Sequence, residues 1–135
     1  MRMILPPMVL AMLAACTPTP QQAARAVVEA DATQAKLAKA LSGLTPGKPM
    51  SCMNQLQSSN LEAYGPTLLY RVSRSLVYRN DTAGGCERAG RDDILVTRSP
   101  TGQLCRGDIG QTFDRASRFP TGGCSLGDFV PYRKP

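Results

Sequence analysis

Five cysteines constrain the fold of this 135-residue chain more than any other feature. The last four are separated by 34, 19 and 19 residues, with no Cys-x-x-Cys pair, and the chain has no histidine. Zinc sites are built mainly from closely spaced cysteines and histidines, so we expect no metal and no cofactor. In an oxidising compartment an even set of cysteines predicts two disulfides, for which three pairings are open. The four residues are Cys52, Cys86, Cys105 and Cys124.

The first cysteine ends the stretch Leu13-Ala14-Ala15-Cys16, which follows Arg2 and an apolar run over residues 3–13. This order is typical of a lipobox, where a bacterial lipoprotein is cut before its cysteine and lipidated on it. The alternative is an ordinary signal peptide cut at an Ala-x-Ala-like site, which would leave a plain thiol. The apolar run is shorter than the ~20 residues that span a bilayer. We therefore predict a lipoprotein signal peptide over residues 1–15 and a lipid anchor on Cys16.

Thr17 follows the lipobox cysteine. By resemblance to known lipoprotein sorting, a residue other than aspartate at this position predicts the outer membrane, facing the periplasm. The prediction agrees with the disulfides, because the periplasm is oxidising.

Behind the lipobox the composition divides the chain into a tether and a domain. Residues 17–20 predict a short extended spacer, and residues 45–49 a Pro/Gly linker. Between them, residues 21–41 predict an alanine-rich helix whose weak apolar face is typical of a stalk or a loosely docked helix. Residues 16–49 thus hold the lipidated cysteine, spacer, helix and linker, and residues 50–135 form a disulfide-stapled β-rich domain.

Short strand-like runs separated by turns predict a mainly β fold, either a small antiparallel sheet or a partly closed barrel. The clearest feature is a hairpin of residues 67–72 and 76–79, in which Leu68 and Tyr70 share one face with Tyr78. Further strands are predicted over residues 93–97, 103–105 and 124–130. Residues 106–110 are predicted to be irregular, and residues 119–123 to form a turn.

The charge pattern leaves two interpretations of the domain surface. The net charge is +6, or +5 once Arg2 is removed with the leader, and nine arginines lie between Arg71 and Arg118. This bias could serve an anionic partner such as lipopolysaccharide phosphate or peptidoglycan carboxylate. The acidic residues interspersed among the arginines favour instead a solvated, salt-bridged surface. The charge excess is too small to predict nucleic-acid binding.

Tyrosine and arginine alternate along the predicted hairpin. Such residues could form a face on which sugars or phosphates stack. Packing of the tyrosines in the core, with the hydroxyl at the rim, is the favoured alternative. The candidate ligand face consists of Tyr70, Arg71, Tyr78 and Arg79.

No set of residues predicts catalysis. The serines have no histidine to activate them, and Asp92 and Asp93 show neither the spacing of a calcium loop nor a recognisable acid–base pair. Arg106-Gly107-Asp108 spells an integrin-binding tripeptide, but a glycine turn between two solvated charges is the favoured interpretation. We expect a non-enzymatic protein without catalytic residues.

The cysteine-bearing segments together resemble a known family. The resemblance covers residues 50–133 and the lipobox leader, and it points to small secreted or lipidated proteobacterial proteins of unknown function, especially from sphingomonad-like alphaproteobacteria. It implies four structural cysteines in a compact β-rich domain and carries no catalytic residue, cofactor or ligand. Cys86-Glu87-Arg88-Ala89 departs from the family pattern, which has a Leu-like apolar residue three positions after the cysteine. The matching segments are Ser51-Cys52-Met53, Gly85-Cys86, residues 103–109 and residues 123–131.

The predicted sheet favours one cysteine pairing. Cys86 and Cys105 flank the strand that contains Ile94, whereas Cys52 begins the first strand and Cys124 begins the last. We therefore favour the pairs Cys86–Cys105 and Cys52–Cys124, with the other pairings open.

These features together predict a non-enzymatic envelope lipoprotein that binds another protein or stabilises an assembly. The alternative is a binding module for an anionic glycan or lipid, namely peptidoglycan or lipopolysaccharide. A hydrolase ranks below both.

Overall fold

The computed structural model describes residues 17–58 and 60–135, so the predicted signal peptide and Cys16 lie outside the described residues. The described part is mainly β, with antiparallel sheets, one N-terminal helix, two disulfides and no closed barrel. The elements are α1 (Pro20–Ala40), β1 (Thr45–Pro46), β2 (Cys52–Asn54), a first 3-10 helix (Gln55–Gln57), β3 (Asn60–Tyr64), β4 (Thr67–Arg71), β5 (Leu76–Asp81), a second 3-10 helix (Glu87–Arg91), β6 (Ile94–Thr97), β7 (Gln103–Cys105), β8 (Ile109–Phe113), β9 (Pro120–Ser125) and β10 (Phe129–Arg133).

The predicted alanine-rich helix is confirmed as α1. It starts at a capping box, in which the Thr19 backbone N–H donates to Gln22 Oε1 (2.9 Å) and the Gln22 N–H donates to Thr19 Oγ1 (3.3 Å). Pro20 takes the first helical position, where its missing N–H removes no intrahelical bond. The spacer is therefore shorter than predicted, because Pro20 already belongs to the helix.

Only the C-terminal end of α1 is docked. Leu37 and Leu41 are buried against Leu69 and Val77 of the sheet, whereas the first turns of the helix are exposed. The sheet itself begins at Thr45, ahead of the predicted domain boundary, because β1 pairs with β10.

The predicted hairpin is confirmed as β4 and β5, with Tyr70 directly opposite Tyr78. It lies in a five-stranded antiparallel sheet of order β1-β10-β5-β4-β3. Because side chains alternate along a strand, Leu69 and Val77 face α1, while Leu68, Tyr70 and Tyr78 face the opposite way into the main core.

A second layer closes that core. It consists of the two-stranded sheet β2-β7 and the three-stranded sheet β6-β8-β9. Met53, Leu104 and Leu126 are buried there against Phe129 of the first layer, and Leu95 packs against them. The hydrophobic core thus lies between the five-stranded sheet and the two smaller sheets.

The predictions that residues 106–110 are irregular and that residues 119–123 form a turn are wrong in most of their length. Only the tight turn at Gly107 (φ 91°) agrees with them. Residues 109–113 form β8 and residues 120–125 form β9. Glycine occurs in these strands because neighbouring segments of the backbone approach closely. A Cβ added at Gly122, for example, would lie 2.1 Å from the Gly85 carbonyl oxygen. The predicted last strand is likewise divided between β9 and β10, and β3 was not predicted.

The favoured cysteine pairing is also wrong. Cys52 and Cys105 are direct partners in the β2–β7 ladder and form one disulfide. The segment that ends at Cys86 runs beside β9, so Cys86 bonds Cys124. The error has a topological cause, because β2 pairs with β7 rather than with a last strand that closes the sheet.

Peptide mapping tests this pairing. Trypsin cuts after arginines that separate all four cysteines, so the non-reduced digest is expected to contain a Cys52–Cys105 peptide and a Cys86–Cys124 peptide. A reduced digest is the control. A Cys105–Cys124 peptide would contradict the fold described here.

Asn80 provides a second test, because its buried side chain holds the turn between β9 and β10. Its Nδ2 donates to the Gly127 carbonyl (2.7 Å), and its Oδ1 accepts from the Gly127 N–H (3.0 Å). Asn80→Ala leaves two backbone groups without these partners, so we expect it to lower the unfolding free energy by about 1–3 kcal/mol. Urea denaturation measures the change. Asn54→Ala, which removes an exposed cap, should have a smaller effect, and equal effects would contradict the assignment.

Candidate functional site

The structure separates the four residues of the predicted ligand face. Tyr70 and Tyr78 are buried in the main core, whereas Arg71 and Arg79 point to the opposite side of the sheet, as alternation requires. Tyr70 lies 5.8 Å from Phe129, centroid to centroid. The tyrosines therefore pack in the core, as the alternative interpretation expected, and the four residues do not form one surface.

The Tyr70 hydroxyl differs from that interpretation, because it lies inside the core rather than at its rim. It has no hydrogen-bond partner among the described residues. Burial raises the pKa of Tyr70, since the ionised form would lose its hydration.

The two arginines of the predicted face are ion-paired. Arg71 Nε lies 3.1 Å from Glu62 Oε1, and Arg79 Nε lies 3.1 Å from Asp81 Oδ1. Partial burial disfavours the charged form of Glu62, but hydrogen bonds from Arg71 and Tyr64 outweigh it and hold the pKa of Glu62 below its ordinary value.

The same arrangement extends to most arginines of the domain. Six of the nine between positions 71 and 118 form salt bridges with acidic residues. This supports the solvated, salt-bridged surface over a broad basic patch. The six are Arg71, Arg79, Arg88, Arg91, Arg106 and Arg115.

The Arg106-Gly107-Asp108 tripeptide forms the turn between β7 and β8. Asp108 Oδ2 accepts from the Cys105 N–H (2.8 Å), and Arg106 Nη1 lies 3.2 Å from Asp128 Oδ1. Both charged side chains are thus bonded within the domain, in agreement with a structural turn.

Asp93 is a buried carboxylate that joins three elements. It accepts hydrogen bonds from Thr121 Oγ1 of β9 and from Arg88 Nε of the second 3-10 helix (2.9 Å). Thr121 Oγ1 also accepts a hydrogen bond from Thr112 Oγ1 of β8 (3.0 Å). The hydrogen bonds from Thr121 and Arg88 hold the pKa of Asp93 below its ordinary value of 3.8. In residues 17–58 and 60–135, no three or more acidic or cysteine side chains are grouped to hold a metal ion.

The register of β6, β8 and β9 defines a surface that the sequence did not indicate. Ile94 lies opposite Phe113, and Val96 lies opposite Gln111. The intervening residues face the core, since a Cβ at Gly110 would contact Leu95, Thr97 and Cys124. The opposite side of this sheet is solvent-facing, and we call it the outer face: Ile94, Val96, Ile109, Gln111 and Phe113.

The outer face is largely apolar, and some of its apolar side chains are exposed to solvent. Val96 is 40% exposed and Ile109 is 59% exposed, and Phe119, which precedes β9, is 71% exposed. In an antiparallel sheet with one face on the core, the other face normally carries polar side chains. This departure makes the outer face the candidate functional site.

The sheet that carries the outer face is held rigidly. The Cys86–Cys124 disulfide fixes β9 from the core side, and Asp93 joins the start of β6 to β9. The loop between β8 and β9 is closed by Asp114, which accepts from Ala116 N–H (3.1 Å), Ser117 N–H (2.7 Å) and Ser117 Oγ (2.8 Å). These hydrogen bonds lower the pKa of Asp114, and the bond from the Ser117 backbone N–H contributes most.

Three exposed arginines stand beside the outer face. Arg98 follows β6, whereas Arg115 and Arg118 lie in the loop between β8 and β9. Arg115 pairs with Asp92 at the start of β6 (3.2 Å), and no salt bridge to a described residue is formed by Arg98 or Arg118. We call these three residues the arginine rim.

A groove of about 450 Å³ lies between α1, the β3–β4 turn and the second 3-10 helix. Its walls include Ala30 and Thr33 of the helix and Tyr64 and Gly65 of the turn. Glu29 and Arg91 pair loosely beside it (3.7 Å), and both are largely exposed. The groove mixes small and charged side chains without a convergent polar set.

Comparison with protein-family models, with curated proteins and with solved structures finds no match to this chain. The resemblance to the sphingomonad-like lipoprotein family therefore stays a prediction. No helix in the described part of the chain is both long and apolar enough to cross a bilayer.

The buried Asp93 carboxylate predicts a specific pH dependence. Because its folded pKa is depressed, its contribution to stability is full above the unfolded pKa and is lost as pH falls through the folded pKa. Asp93→Asn should therefore lower the urea midpoint of unfolding at pH 7. The difference in midpoint between the variant and the unmodified protein should become smaller below pH 3.8.

Asp92→Asn is the matched control. Asp92 has a left-handed backbone (φ 81°), which asparagine tolerates, and its pair with Arg115 is exposed, so the midpoint should change little. Equal effects of the two substitutions at pH 7 would contradict a structural role for the buried carboxylate.

Proposed function

We propose that this chain is a non-enzymatic lipoprotein of the bacterial outer membrane, anchored through Cys16 and facing the periplasm. Its β domain binds another envelope protein through the outer face. The observation that carries this proposal is the exposure of apolar side chains, Val96 and Ile109 above all, on one side of a rigid sheet. Exposed apolar surface of this kind marks interaction sites in soluble domains.

The shape and composition of the surface favour a protein partner. The outer face is a sheet surface, whereas small ligands generally take concave sites. Aromatic residues and arginine are enriched in protein interfaces, and here Phe113 and Phe119 lie near Arg115 and Arg118. The partner we expect has an apolar surface bordered by carboxylates.

The tether supports display of this domain above a membrane. Helix α1 is capped at Thr19, close behind the proposed lipid anchor, so little flexible chain separates the two. Its 21 residues correspond to a length of about 30 Å. The helix end at Leu37 is docked on the sheet, so the domain is carried on a helical arm rather than on a flexible linker.

Site-specific crosslinking in cells tests the proposal. A photoreactive amino acid at position 111, the centre of the outer face, should capture one envelope protein repeatedly. The same amino acid at position 74, an exposed arginine in the β4–β5 turn, is the control.

A double variant ties the capture to the apolar face. Val96→Thr with Ile109→Thr keeps β-branched side chains but makes the surface polar, and it should reduce capture at least about tenfold. The matched pair Val27→Thr with Val28→Thr, on the exposed part of α1, should leave capture unchanged. Capture that survives the first pair would overturn the outer face as the interface.

An anionic glycan or lipid is the second candidate, favoured by Arg98 and Arg118 in the arginine rim. Binding of lipopolysaccharide or peptidoglycan fragments should then weaken strongly with added salt. Salt-independent binding would count against it.

A further inference from the structure

We propose that β6 is the strand at which a partner's extended segment joins the three-stranded sheet. This inference rests on the proposed function, because it assigns the partner of the outer face to a class. The segment would pair its backbone with the free edge of β6, place apolar side chains at alternate positions beside Ile94 and Val96, and carry carboxylates. Recognition by strand addition obtains affinity from backbone hydrogen bonds and specificity from alternate side chains.

The other edges of the two larger sheets are protected. β1 has only two residues, Thr45 and Pro46, and proline has no N–H to offer a further strand. β3 is covered by the second 3-10 helix, which approaches so closely that a Cβ at Gly90 would lie 2.8 Å from the Ala63 carbonyl oxygen. Both ends of the five-stranded sheet are therefore closed to strand addition.

The β9 edge of the three-stranded sheet is closed as well. The Ala83 N–H donates to the Ser125 carbonyl (3.0 Å), and the Gly85 carbonyl lies against Gly122. The Cys86–Cys124 disulfide fixes this segment in place.

β6 has none of these protections. In residues 17–58 and 60–135 it pairs with β8 alone, and the pairing shows no bulge. Its residues Ile94, Leu95, Val96 and Thr97 all suit a strand or a core, and none is charged or a proline. The first 3-10 helix contacts β6 through side chains, since Gln55 Nε2 donates to Thr97 Oγ1 (3.3 Å). A row of unpaired backbone groups on such an edge is a template for a further strand.

The charge around β6 decides which segment fits. Arg98 directly follows the end of β6. The loop that carries Arg118 follows Phe113, which lies opposite Ile94, so this loop stands at the start of β6. An acidic segment is attracted at both places. The β6 strand of a second copy has no acidic residue within it and so does not offer the carboxylates that such a segment brings.

A defined probe tests the inference. Ten-residue peptides displayed on phage are selected against the full-length chain with both disulfides formed. We expect enriched peptides with apolar residues at alternate positions and with aspartate or glutamate. One enriched peptide is then synthesised with N-methyl groups at single positions, which remove an N–H without changing the side chain.

Strand addition predicts an alternating result. N-methylation at every second residue should weaken binding at least about tenfold, since it removes a hydrogen bond and blocks the approach, while the residues between tolerate it. Hydrogen exchange should slow at alternate amides of residues 94–97. Arg98→Glu should weaken binding of the acidic peptide, whereas Arg74→Glu, in the exposed β4–β5 turn, should not.

Three outcomes would overturn the inference: no enrichment, enriched peptides that are insensitive to N-methylation, or dimerisation of the chain through β6 in sedimentation experiments. They remain distinct from failure of the proposed function. Crosslinking from position 111 that depends on Val96 and Ile109 would still support binding through side chains of the outer face, even if no strand is added.

Discussion

The close approach of the segment before Cys86 to β9 is the contact on which the second layer depends. A Cβ at Gly85 would lie 2.2 Å from the Gly123 carbonyl oxygen, and one at Gly122 would meet the Gly85 carbonyl, so only glycine fits on both sides. This contact aligns Cys86 with Cys124 and covers the edge of β9. It also leaves β6 as the open edge of the same sheet, so the geometry that forms the disulfide determines where the candidate site lies.

Local patterns predicted the parts of the fold that depend on local contacts. The helix α1 follows from its alanine content and caps, and the β4–β5 hairpin follows from alternation across a tight turn. β8 and β9 could not be predicted in this way, because Gly110 and Gly122 indicate turns locally but are required by contacts between distant segments. The cysteine pairing failed for the same reason, since it is set by the register of β2 with β7.

The candidate site shows the same division. Tyr70 and Arg71 are adjacent in the chain, yet a strand directs adjacent side chains to opposite faces, so the predicted ligand face was divided by the sheet. The outer face carried one usable signal, the alternation of Ile109, Gln111 and Phe113, which the neighbouring glycines concealed. The pairing of β8 with β6 places Ile94 and Val96 on the same surface. This pairing joins segments distant in the sequence, so no local pattern could predict it.

An exposed edge beside an apolar face is a hazard for any β protein, because identical edges can pair and aggregate. This chain covers its other large-sheet edges with a 3-10 helix, a disulfide-linked segment and a two-residue strand that ends in proline. At β6 no element covers the edge, and Arg98 and Arg118 beside it attract a carboxylate-bearing segment, which a second copy of β6 does not provide. A covering element would have blocked every partner alike. Charge favours one class of partner over another, which is the property that a binding edge requires.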